Sequence, residues 1–293
     1  MGTVTTSSGL FPEKLISEMF DKVQGHSTLA KLSGRKPLPF AGTQQFVFSM
    51  DGEAAIVGEG AQKPAGAAAF TPVTITPIKF VYQHRLTDEF VNLAEEAQVP
   101  YLQAFTDGFA KKIARALDIA AFHGVNPATG SSVSGLSGKC FDGNIGTITY
   151  DSSTPDDNLD AAVQAIVAAG GSVNGIAMTP AFGAAMAGVK VNGVVQYPEF
   201  RFGQNPGAFA GMASDINSTL AFGSSADKAI VGDFANAFRW GYAKDIEMEI
   251  IQYGDPDGQG DLKRNNQIVL RAEAYIGWGI LDAASFKLIT SNP

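Results

Sequence analysis

Hydrophobic positions recur along this chain with two periods, and each period marks a kind of element. Between Leu10 and Leu32, apolar Leu15, Ile16, Met19, Phe20 and Val23 are mixed with charges, which predicts a short amphipathic helix. Pro37 and Pro39 then exclude helix. From Gln44 to Met50 the period falls to two, with Phe46, Phe48 and Met50 on one face and a turn signal at Asp51-Gly52, so this stretch reads as a strand. The Gly- and Ala-rich segment Glu53 to Phe70 is too poor in large apolar side chains for a core and too apolar for an ordinary solvated loop. The chain returns in extended form from Thr71 to His84, with Val73 and Ile75 in one phase and Ile78, Phe80 and Tyr82 in another after Pro77. Pro72 and Pro77 confine this return to an edge or a bulge. Together the two runs predict a long projecting hairpin, with a tip suited to packing on a neighbour.

The longest helical pattern runs from about Val99 to Phe122, where Leu102, Phe105, Phe109, Ile113, Ala116 and Ala120 are spaced by three or four. At 1.5 Å per residue it would extend roughly 35 Å, with Pro100 in its first turn and Gly124 at its exit. A Gly/Ser-rich stretch and a short strand at Thr147 to Tyr150 follow. Thr154, Pro155, Asp156 and Asp157 then have the order of a helix start, and Gly170-Gly171 that of its end, around the stripe Leu159, Val163, Ile166 and Val167. Val173 to Met178 reads as a buried strand, Thr179-Pro180 as the start of another helix, and Asn192-Gly193 as a hairpin turn. Near the C-terminus Ile246, Met248 and Ile250 alternate with charges, and a polar loop runs from Gly254 to Gln267. A long strand then carries Ile268, Leu270, Ala272, Ala274, Ile276, Trp278 and Ile280 on one face. Sheet and helix runs intermingle, giving an α+β fold.

Composition sharpens this picture. Of 293 residues 45% are hydrophobic and only 17% charged, against a usual ~25%, so much of the surface is expected to be covered by other chains. The net charge of -8 disfavours phosphate binding by counterion release as the main activity. Residues 151–235 are the most acidic part, with eight acidic and three basic residues. Ala161 to Val189 lacks charge but is interrupted by Gly170-Gly171, Asn174 and Pro180, so no membrane span is expected. Met1-Gly2 with Thr6 fits the loose myristoylation pattern, but no polybasic stretch follows, so a flexible polar terminus is the expected reading, and no signal peptide is expected from this start.

Chemical motifs fail one after another. Gly130 to Gly135 resembles a phosphate loop, but Leu136 stands where Lys is required, and Gly58-Glu59-Gly60 lacks the third Gly of a dinucleotide site. Asp255, Asp257, Gln259 and Gly260 match a calcium loop whose twelfth position is Asn266 instead of Glu, which reads better as a solvated turn. His26, His84 and His123 have no carboxylate or Cys at ligand spacing, and Cys140 has no pairing partner. No catalytic residue, cofactor or metal site is assigned on these grounds.

The order of elements resembles the tailed-bacteriophage major capsid protein family, a fold shared with encapsulins. The resemblance rests on GEAAIVGEGAQKP leading into PIKFVYQHRLTDEF, on AMTPAFGAAM with VKVNGVVQYP, and on the closing strands with Gly232-Asp233, Arg271 to Glu273, and Asp282 to Phe286. It implies an N-terminal arm over residues 1–50, an extended loop hairpin over 51–84, a peripheral domain with the spine helix over 85–150, an axial domain over 151–235, and closing strands of the peripheral domain over 236–293. It also implies that the loop lies over a neighbouring subunit, with Ile56, Val57, Glu59, Lys63 and Phe70 as inter-subunit contacts. Some relatives crosslink subunits through a loop Lys and an Asn; here Lys63 is the only Lys of the tip, with Asn265 and Asn266 as candidates that no motif fixes. The arm begins almost directly after Met1, so scaffolding is expected to be a separate protein or unnecessary.

The expected function is self-assembly, in the host bacterial cytoplasm, into hexamers and pentamers of an icosahedral virion shell enclosing double-stranded DNA. Portal and decoration proteins are further expected partners. Two alternatives stay open at this point. One is an encapsulin-like nanocompartment, against which the polar start speaks, and the other an α+β enzyme or binding domain.

Overall fold

The computed structural model of the chain describes residues 22–23, 25–51, 54–93 and 95–291. Leu10 to Phe20 of the first expected helix and Gly52 of the expected turn lie outside the described residues. In chain order the elements are α1 (Thr28–Leu32), β1 (Thr43–Asp51), β2 (Ala67–Ile75), β3 (Ile78–Thr87), α2 (Glu95–His123), β4 (Gly146–Thr149), α3 (Pro155–Ala168), β5 (Gly175–Met178), α4 (Pro180–Gly188), β6 (Lys190–Val191), β7 (Val194–Val195), β8 (Ala208–Phe209), β9 (Met212–Ile216), β10 (Asp227–Gly232), β11 (Phe238–Ile251), β12 (Gln267–Ile280) and β13 (Phe286–Thr290).

A first core forms where α2 packs on an antiparallel sheet of order β11-β12-β3. Its stripe of Leu102, Phe105, Phe109, Ile113 and Ala120 is buried, as is the β12 face from Ile268 through Trp278. The two buried Trp side chains each find a carbonyl, Trp240 at Ser33 and Trp278 at Lys139, both at 3.0 Å, so their burial leaves no unpaired indole N–H. The helix starts four residues earlier than its sequence pattern suggests, which places Pro100 inside it rather than in its first turn. Pro100 withdraws one donor from the N-terminal part of the helix.

A second core lies under a mixed six-stranded sheet of order β4-β13-β10-β5-β9-β8, covered by α3 and α4. Strands β4 and β13 enter this sheet from outside residues 151–235, so chain from both flanks of that region completes it. Helix α3 ends as its glycines require. Gly170, at φ +81°, allows its own N–H to reach the Val167 carbonyl and the Gly171 N–H to reach that of Ile166. Val167 is more than half exposed, so the buried stripe narrows to Leu159, Ala162 and Ile166. Asn192 and Gly193, both at positive φ, form the turn between β6 and β7.

Candidate self-association surface

Among the described residues, strands β1 and β2 pair with each other and with no third strand. The register runs from Thr43 opposite Ile75 to Asp51 opposite Ala67, about 30 Å of two-stranded ribbon at ~3.4 Å per residue. Among the described residues, the contacts that anchor it lie at the root. Ile75 is buried against Gly277 and Gly279 of β12, where a Cβ would come within 3.2 and 2.9 Å of its side chain, and Gly42 turns into β1 at φ +81°. Beyond the root, directly opposed pairs share a face, so Phe46 with Pro72, Phe48 with Phe70, and Met50 with Ala68 make one apolar surface. The Phe48 and Phe70 rings lie 4.8 Å apart, yet both remain at least half exposed.

The residues singled out in the sequence sit as follows. Ile56, Val57, Glu59 and Lys63 all lie in the irregular tip between the strands, where Ile56 is fully exposed, and Phe70 lies in β2. Phe46, Phe48 and Met50 belong to the same surface as Phe70 but were not assigned to it from sequence, although their alternation had already put them on one face. Lys63 is solvated, and the Asn265 side chain is held within its own turn by the Asp261 carbonyl at 2.9 Å.

A second feature borders α2. Two adjoining clefts of about 500 and 430 Å³ lie between this helix and β3, sharing Tyr82 and Lys112. Phe80 and Phe105 supply apolar walls, and Lys79, Lys112 and Arg115 supply positive charge. Lys79 is paired with Glu273 at 2.6 Å. Among the described residues, β3 hydrogen-bonds to β12 on one side and its other edge is unpaired in the sheet order.

Buried carboxylates fix the arm to both cores. Asp118 of α2 is fully buried and accepts from Ser27 Oγ at 2.5 Å and from the Thr28 and Leu29 N–H groups at 2.9 and 3.2 Å, capping α1 from another helix. Burial raises its pKa to about 7, against the pull of these donors. Asp215 of β9 accepts from Thr28 Oγ1 and Lys31 Nζ, both at 2.6 Å. Farther on, Lys36 and Leu38 donate to the Trp240 and Tyr242 carbonyls, extending the β11 edge. Gly241 leaves room for this pass, since a Cβ there would fall 1.7 Å from the Lys36 carbonyl oxygen.

The acidic loop after β11 is organised by Arg85 of β3. The guanidinium grips the Asp257 carboxylate with two nitrogens, reaches Asp255 at 3.3 Å, and donates to the Gly260 carbonyl and Gln267 Oε1, each at 2.8 Å. This bond holds the Asp257 pKa down to about 2. A cation would compete with Arg85 for those oxygens, so the calcium-like spacing reports an arginine-pinned loop.

A two-core body carrying an apolar ribbon that none of the described residues covers has the form of a subunit of a larger assembly. The phage capsid family pattern matches residues 8–291. A solved chain from Mycobacterium phage Ogopogo is similar at 31% identity and a TM-score of 0.77, over 90% of this chain and 92% of that one. Another from Gordonia phage Cozz gives 23% and 0.74, over 90% and 86%. The capsid of an empty GTA particle shares the fold at 16% and 0.63, over 90% and 89%. No curated protein matches the sequence. The chain belongs to the phage capsid family and is a structural protein of the capsid shell.

Proposed function

We propose that this chain is the major capsid protein of a tailed phage and assembles into hexamers and pentamers of an icosahedral shell around double-stranded DNA. The observation that carries the proposal is the β1/β2 ribbon. An isolated two-stranded hairpin is marginal in water at best, and this one leaves Phe46, Phe48, Met50 and Phe70 exposed along one face. Covering such a ribbon with a neighbouring copy stabilises both the ribbon and the contact, at ~1.5–3 kcal/mol per fully buried large side chain. Ile56, Val57, Glu59 and Lys63 at the tip are the contacts that reach farthest into the neighbour.

In this reading α2 with the β11-β12-β3 sheet forms the peripheral domain. The six-stranded sheet with α3 and α4 forms the axial domain, centred on residues 151–235 and completed by β4 and β13. The net charge of -8 suits a wall that encloses DNA without gripping its phosphates. Assembly in the host cytoplasm, with a separate scaffolding protein, a portal and decoration proteins, completes the proposal. Deleting residues 54–70 is expected to leave a folded, soluble protein that forms no shells under negative-stain microscopy. Shells of normal appearance from that deletion would refute the role of the hairpin.

A further inference from the structure

His123, Asp142 and Asp227 come from three separate parts of the chain and converge at the junction of the two cores. His123 is the last residue of α2, Asp142 lies in the loop that follows, and Asp227 opens β10. One donor atom from each lies within 4.8 Å of the others. His123 Nδ1 is 2.7 Å from Asp142 Oδ2 and 3.7 Å from Asp227 Oδ2. The His123 and Asp227 side chains are only 6% and 8% exposed, whereas Asp142, at 34%, stands at the solvent rim.

The fold builds this convergence. Gly124 turns the chain at φ +66°, and a Cβ there would lie 2.9 Å from Cys140 Sγ. The turn lets Phe141 and Asp142 donate their N–H groups back to the Ala121 and Phe122 carbonyls at 2.9 Å, which places Asp142 beside His123. On the other ring nitrogen, Nε2 lies 3.1 Å from the Thr219 carbonyl. A carbonyl only accepts, so Nε2 carries the proton and Nδ1 of a neutral ring turns its lone pair towards two carboxylates. This is the outer contact that orients metal-bound histidines.

Two lone-pair atoms do not approach to 2.7 Å unaided, so a positive species, either a shared proton or an ion bound by both atoms from one side, holds them together, while Asp227 Oδ2 also accepts from Ser225 Oγ at 2.5 Å. Among the described residues neither carboxylate has a Lys or Arg partner, and the Lys228 ammonium lies instead over the Tyr150 ring. A second ring proton would satisfy Asp142 Oδ2 but would leave two carboxylates facing one positive charge. It would also leave Asp142 Oδ1, which is buried and has no hydrogen-bond partner, without a donor. A divalent ion matches the two negative charges and accepts all three donors.

We propose that His123 Nδ1, Asp142 and Asp227 Oδ2 bind one divalent transition ion, of which Zn2+ fits the mixed nitrogen and oxygen donors best, with solvent completing the shell on the Asp142 side. Imidazole disfavours Mg2+ and Ca2+ here. The ion ties the C-terminal end of the spine helix to β10 and so fastens the first core to the second. No sequence spacing announces the site, because Asp142 follows His123 by 19 residues and Asp227 follows Asp142 by a further 85.

The test uses the full-length protein, stripped with chelator and dialysed against micromolar Zn2+, with metal content measured per chain. About one Zn2+ per wild-type chain is expected. The rim variant Asp142→Asn should keep the wild-type circular dichroism and lose affinity by at least ~100-fold, more than is usual for an outer-shell partner. Co2+ in place of Zn2+ should give visible d–d bands without a thiolate charge-transfer band, since Cys140 is not a ligand. Sub-stoichiometric Zn2+ in the wild type would overturn the proposal in favour of a protonated His123. Unchanged binding by Asp142→Asn, a thiolate band, or preferential uptake of Mg2+ over Zn2+ would overturn it as well.

Discussion

Single residues decide how the arm meets the body. Gly241 is one, because any side chain there would occupy the place of the Lys36 carbonyl. Gly241→Ala is expected to cost about 1–3 kcal/mol in denaturant unfolding and to expose the chain near Lys36 to protease. Asp118 is the other. Its folded pKa of about 7 lies above the unfolded value near 3.8, chiefly because burial penalises the ionised form, with Asp215 adding to the rise. Between those values the folded state binds more protons than the unfolded state, so stability must fall as pH rises through this window and be steady on either side. The largest possible change is about 4 kcal/mol. Asp118→Asn removes the titration while keeping an acceptor oxygen for the arm. Its urea midpoint should therefore be lower than wild type at pH 4 and nearly flat to pH 7, where the wild-type midpoint declines. Parallel pH profiles for the two proteins would contradict this assignment.

Elements with strong local punctuation were legible in the sequence. The buried face of β12, the start and glycine-ended finish of α3, and the Asn192-Gly193 turn all follow from patterns a few residues long. The helix start at Glu95 was not, because Pro100 reads as a first-turn residue and the packing of Leu102 and Phe105 on the sheet carries the helix past it. The sharing of β4 and β13 between regions was also hidden, since strand order is set by pairings over more than a hundred residues. Loop 252–266 shows the same limit. Its aspartates suggested a cation loop, and their actual partner, Arg85, lies about 170 residues away in sequence. Arg85→Gln should free this loop, raising amide exchange at 254–266 by roughly tenfold while leaving exchange in β12 unchanged. It should also return Asp257 from about 2 to the ordinary carboxylate range. In the wild type this pair contributes stability above pH 4 that is lost as pH falls through 2, so the variant should lose that acid-side dependence.

At the scale of the whole molecule, an unusually low share of charge is explained by the surface that must be covered. The ribbon concentrates four large apolar side chains on a face that the described residues do not bury, while the two cores are closed without it. Folding and assembly should therefore separate under mutation. Phe48→Asp with Phe70→Asp places two charges directly opposite each other, in the middle of the ribbon and far from both cores. The melting temperature of the unassembled subunit should stay within a degree or two of wild type. The concentration needed for shell formation should rise at least ~100-fold, which corresponds to the ~2.7 kcal/mol expected for losing about one buried phenylalanine per contact. Because the contact is apolar, wild-type assembly should also weaken on cooling and strengthen in sulfate. Light scattering across temperature and salt separates this from an ion-pair contact, which NaCl would weaken. A double variant that melts early would place the ribbon in the folding core instead, and one that assembles at wild-type concentrations would remove it from the interface.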